Sequence, residues 1–200
     1  MKKILCNVLI LISFTGICLA QDYKKEIKEF QKELNEEYKN PDESPLSTKD
    51  RKKFKGHDFF PIDEKYRVEA KFVKTANAMP FKMKTSANVF QNYDIYGVVS
   101  FEIDGEEFKL NIYQSHSLRE TEEYKDYLFL PFTDLTNGTE TYRGGRYIDL
   151  SIPSDNTIVI DFNKAYNPYC AYSTGYSCPI PPKENNLDIK VEAGIKNNHL

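Results

Sequence analysis

Arg143 and Arg146 flank Gly144-Gly145. Glycines let backbone N–H groups approach a ligand, and a neighbouring guanidinium can hold a carboxylate or phosphate through two parallel hydrogen bonds. Further along, Asp161, Asn163, Tyr166 and Asn167 fall within seven residues. Together these residues suggest a site for a small polar or anionic ligand. Arg146 would meet the charge, Asn163 and Asn167 would orient the ligand, and the Tyr142 and Tyr166 rings would supply contact area. A second reading uses the same cleft for catalysis, as a hydrolase or a metal-dependent enzyme. Asp161 would be the general acid or base, Arg146 the electrostatic stabiliser, and a cysteine or metal the reactive centre. A third reading is architectural, with Arg146 paired to an acid such as Asp149 or Asp161. No strand, glycine loop and helix occur in succession here, so a nucleotide phosphate loop is not supported.

Other chemistry is thinner. Of three histidines, His199 lies in a tail and His116 in a polar loop. His57 follows Gly56 at an expected helix end, where its charged form would suit the helix dipole. Nothing around them resembles a nucleophile elbow, which leaves little basis for a histidine-based hydrolase. Cys170 and Cys178 are eight apart, and a disulfide in an oxidising compartment is the expectation, with a metal site or a reactive thiol as the alternatives. Their spacing matches no standard zinc pattern, so no metal site is assigned. No residue pattern specifies a cofactor.

The elements that must position these groups begin after residue 20. Met1-Lys2-Lys3, an apolar run from Ile4 to Leu19, and Ala20 before Gln21-Asp22 form a secretory signal pattern. It is too short for a permanent membrane span. Bulky Ile17 before Cys18 argues against a lipid anchor there. The expectation is an exported protein, periplasmic or extracellular, with Cys6 and Cys18 discarded. Removing residues 1–20 takes two of the 27 basic residues and none of the 30 acidic ones, which moves the net charge from −3 to −5. A mildly acidic exported domain is a poor candidate for nucleic-acid binding.

Residues 21–56 read as a helical segment and 57–200 as a β domain. Tyr23, Ile27, Phe30, Leu34 and Tyr38 recur every three or four residues, which predicts an amphipathic helix capped by Asp22 and ended by Asn40-Pro41. Ser47 caps a second, short helix ending near Gly56. From Tyr66 the apolar period becomes two. Alternating runs lie near 66–72, 81–85, 93–103, 108–112, 127–132, 148–152, 158–162 and 187–191. Asp104-Gly105 between two of them is a hairpin signal, because a type I′ turn needs positive φ at both centres. With no helical crossover among them, about seven to nine strands predict a mainly β fold, an antiparallel barrel or sandwich. Two polar stretches, 133–145 and 163–186, interrupt the pattern, and long irregular segments in a compact domain are usually functional or disordered. Their aromatics and cysteines argue against disorder.

Those stretches also carry a resemblance. PFTDLTNGTETYRGGRYIDL and IDFNKAYNPYCAYSTGYSCPIPPKENNL, with SPL at 44–46, FKGHDFFP at 54–61 and EAG at 192–194, resemble the bacterial family catalogued as domain of unknown function 1684. The resemblance covers nearly all of the chain from Ser44. It implies shared polar positions at Asp134, Thr136, Gly138, Thr141, Tyr142, Gly145, Arg146, Asp161, Asn163, Asn167, Cys170, Cys178 and Asn185. It implies no activity, because the family has none established. His57 stands where the family usually has an apolar residue, and Ile195 where an acid usually follows Ala-Gly.

Overall fold

The computed structural model describes residues 2–197, with side chains from Gln21 onward. The side chains of the signal-like segment, including Cys6 and Cys18, lie outside the described residues, as does His199. Helix α1 (Lys2–Lys39) runs through Asp22, which is therefore not its cap. Ala20 and Gln21 are good helix formers, and nothing in the sequence around them stops the helix. Its apolar stripe buries Ile27 and Tyr38 completely, and the helix stops before Pro41 as expected. Helix α2 (Thr48–Arg51) starts at Ser47, whose Oγ accepts the Asp50 N–H at 3.1 Å. It ends short of Gly56 because Phe54 is drawn into a buried cluster with Tyr38 and Leu46.

Seven antiparallel strands follow: β1 (Arg67–Lys74), β2 (Pro80–Lys84), β3 (Phe90–Ile103), β4 (Glu106–Ser115), β5 (Tyr127–Phe132), β6 (Arg146–Ser151) and β7 (Thr157–Asp161). They form one sheet, ordered β6-β5-β4-β3-β1-β7 with β2 also on β3, curled into a half-barrel. The fold is mainly β with an N-terminal helix. Asp104 (φ 52°) and Gly105 (φ 85°) make the expected turn between β3 and β4.

Two corrections concern strand ends. Phe162 leaves the β7 ladder because the Asp161 side chain accepts the Asn163 N–H and starts a 3₁₀ turn, Phe162–Lys164. The expected strand near 187–191 does not form. Its backbone bonds go singly to a loop: Leu187 N–H to Thr133 O at 2.8 Å, and Leu135 N–H to Ile189 O at 2.9 Å. Leu187, Val191, Ala193 and Ile195 are nonetheless buried, so the segment closes the half-barrel as an irregular plug.

Alternation gives the sheet two apolar faces. Val68, Ala70, Val99, Leu110, Leu128, Leu130 and Ile148 point into the curl and form the main core. Met83, Tyr93, Tyr113, Phe129 and Tyr147 point the other way and form a smaller cluster. That second face would carry exposed rings unless something covered it. The end of α1 and the cysteine-containing loop do so.

Candidate functional site

Arg146 does not face a ligand. It is completely buried, the largest such side chain described. Its partner is Asp134, at 2.8 Å, not Asp149 or Asp161. It also donates to the Val191 carbonyl at 2.9 Å and to that of Ala193. Asp134 accepts the Thr136 N–H at 2.8 Å and the Val191 N–H at 3.3 Å. The polar loop 133–145 thus folds on itself to hold one carboxylate under one guanidinium. Gly145 (φ 87°) lets it do so, since a Cβ there would stand 2.6 Å from the Phe132 carbonyl. Arg143, two residues before that glycine, stays on the surface.

Asp161 and Asn163 form a second closed knot. The Tyr23 hydroxyl of α1 donates to Asp161, 3.0 Å from Oδ2, and accepts from Asn163 Nδ2 at 2.9 Å. Asn163 also bonds both backbone groups of Asp63, at 2.9 and 3.1 Å. Burial and the Asp161 charge hold the Tyr23 hydroxyl protonated. Asn167 Nδ2 donates to the Tyr172 hydroxyl at 2.9 Å, while its buried Oδ1 has no partner among the described residues. Asn185 spans a gap in the sheet: Nδ2 donates to Asn111 O of β4 and Pro131 O of β5, and Oδ1 accepts the Asn111 N–H. Pro131 has no N–H for a ladder, and the amide supplies the missing rung. Asp134, Thr136, Thr141, Arg146, Asp161, Asn163, Asn167 and Asn185 are all buried. These signature side chains point inward and do not gather at an open face.

The signature does approach the surface through Tyr142, Tyr166 and the cysteines. Cys170 and Cys178 form a disulfide, with Cα atoms 6.2 Å apart. The Tyr142 hydroxyl donates to Cys170 O at 3.5 Å, against the loop. The loop is tied to the β2–β3 turn, where Cys178 N–H donates to Ser86 Oγ at 3.1 Å. It is tied to α1 by Tyr169, whose hydroxyl donates to Glu37 at 2.5 Å.

Between the loop, α1 and the outer face of β5 and β6 lies a cleft of about 590 Å³. Its floor follows from strand alternation. Tyr127 and Phe129 of β5 share a face with Tyr147 and Asp149 of β6, with Phe129 directly opposite Asp149. The hydroxyls of Tyr127 and Tyr166 both donate to Asp149 Oδ1, each at 2.7 Å. Oδ2 has no hydrogen-bond partner among the described residues, and Asp149 remains open to solvent. Crowding by the surrounding rings raises its carboxyl above the usual Asp value, against the pull of the two hydroxyls. Of the six proposed ligand contacts, only Tyr166 lines this cleft. Asp149 was visible in the sequence only as a possible partner for Arg146. The signal that could have singled it out is a lone acid on the aromatic face of a strand, between Tyr147 and Ser151.

Among the described residues, no three His, Cys, Asp or Glu side chains are grouped so as to hold a metal. No helix among them is long and apolar enough to cross a membrane.

A closed network of buried polar groups holding a helix-covered half-barrel defines the architecture. A family model described as protein of unknown function (DUF1684) matches residues 52–196, and the chain belongs to that family. It is also similar to the solution NMR structure of the uncharacterized protein from gene locus rrnAC0354 of Haloarcula marismortui. The two are 32% identical, with 88% of this chain and 95% of that chain covered and a TM-score of 0.68. No curated protein matches the chain.

Proposed function

We propose that this protein is an exported module that binds a small polar molecule in the aromatic cleft over β5 and β6, and that the buried signature is the scaffold of that cleft. Asp149 carries the reading. It is a carboxylate fixed through one oxygen by two tyrosine hydroxyls, with the other oxygen free, in a cleft of ligand size. A precisely held polar group among apolar walls is how such sites fix ligand orientation. An anion is disfavoured, because the lining among the described residues includes Glu33, Glu37 and Asp149 but no Lys, Arg or His. Arg146, the group expected to attract an anion, is spent on Asp134. The signal pattern and the disulfide support export.

The test is a thermal-shift screen of small polar compounds, repeated on Asp149→Asn. A compound that raises Tm in the parent and not in the variant, with both folded, supports the cleft. Equal shifts in both place binding elsewhere and end this reading, as does a screen in which nothing binds.

A further inference from the structure

We infer that the cleft takes an organic cation, a small molecule carrying an ammonium or guanidinium group on an apolar or flat body. This rests on the cleft being a binding site. The charge around it is one-sided. Glu33, Glu37 and Asp149 line the cleft, and an adjoining surface depression that shares these three adds Glu36 and Glu43; among the described residues the one base lining it, Lys39, is bonded to Glu36 at 2.9 Å. Glu33 and Glu37 sit one turn apart on the side of α1 that faces the cleft. Like charges at that spacing destabilise a helix slightly, and a bound cation removes the penalty. Asp149 approaches from the opposite wall, on β6. Carboxylates thus face the space from two sides, while tyrosine and phenylalanine rings form the floor and walls. Ring faces attract an alkylammonium or guanidinium, and the attraction is larger in a partly desolvated cleft. A bare metal ion fits less well. The acids of α1 and Asp149 of β6 lie on opposite walls, without a grouping of three among the described residues that could share one ion, and the apolar walls offer such an ion nothing.

The experiment uses three probes of one shape and different charge: phenethylamine, 2-phenylethanol and phenylacetate. Binding to the full exported chain is followed by NMR of the tyrosine rings at pH 7. The amine is expected to bind about tenfold more tightly than the alcohol, a difference of ~1.4 kcal/mol, and phenylacetate more weakly than either. The amine's advantage should fall with added salt and shrink in Glu33→Gln, an exposed change that leaves the fold alone. If the alcohol matches the amine while cleft tyrosines still shift, the cation inference is wrong and the binding cleft stands. Tighter phenylacetate binding overturns the inference too. If the amine perturbs no cleft tyrosine, the inference fails, and the broader screen decides whether the cleft reading fails with it.

Discussion

Arg146 and Asp134 form an ion pair with no exposed surface on either side chain. Such a pair adds little net stability against an apolar replacement, but removing one member leaves a buried, unpaired charge. Arg146→Ala should therefore lower unfolding free energy by about 3–5 kcal/mol in urea titrations. A loss below ~1 kcal/mol would contradict the structural role. Arg146→Lys should not rescue it, because an ammonium cannot reproduce the planar fork that reaches Asp134 and the carbonyls together. His57 allows a separate test. Its ring lies among Tyr38, Phe54 and Tyr172, with Nε2 buried and without a partner among the described residues. Burial pushes it down to about 4. The unfolded chain takes up this proton below about pH 6.5, the folded chain only near 4. Stability is then complete above pH 6.5 and is lost as pH falls toward 4, by ~3 kcal/mol in all. His57→Phe should flatten that part of the pH–stability curve. The sequence suggested a charged histidine at a helix end. The structure keeps it neutral because α2 stops early and α1 covers the ring.

At the scale of elements, alternation and stripe spacing were readable because each depends on near neighbours. β1 to β7, the Asp104-Gly105 turn and the buried face of α1 all follow from such patterns. The end of the chain did not, because the alternation of Leu187, Ile189 and Val191 reflects burial without a ladder. What decides that segment is Arg146, which takes two of its carbonyls from more than forty residues away. For the same reason the signature looked like a site: buried, mutually bonded polar residues and ligand-binding ones have the same types in the same order. Of the expected contacts, Tyr166 alone lines the cleft, and the position of Asp149 was not legible because its partners, Tyr127 and Tyr166, come from two other segments. The disulfide belongs to this scale as well. Cys178 lines the cleft, and the bridge closes a short loop bearing Tyr176, with Tyr169 immediately before it. Cys170→Ser with Cys178→Ser should cost roughly 2–3 kcal/mol on the chain-entropy model. It should also weaken binding of any cleft ligand, which a titration of the reduced protein would check.

For the molecule as a whole, α1 is both part of the core and a wall of the cleft. Tyr23 reaches Asp161, Lys164 pairs with Glu26 at 2.6 Å, and Ile27 and Tyr38 are fully buried. The family match begins at residue 52, past the end of this helix. Ile27→Asp should unseat α1 and abolish ligand binding while the sheet survives. Hydrogen exchange should then rise in residues 21–39 and in the 169–179 loop but not in β3 or β4. Arg146 has one more consequence, for chain synthesis. Its acceptors at Val191 and Ala193 are made 45 and 47 residues after it. Until they emerge, the guanidinium has Asp134 but neither carbonyl, and the plug that closes the half-barrel is absent. Closure of the half-barrel is therefore expected only after residue 193 has been made, which hydrogen exchange on chains truncated before Val191 would check.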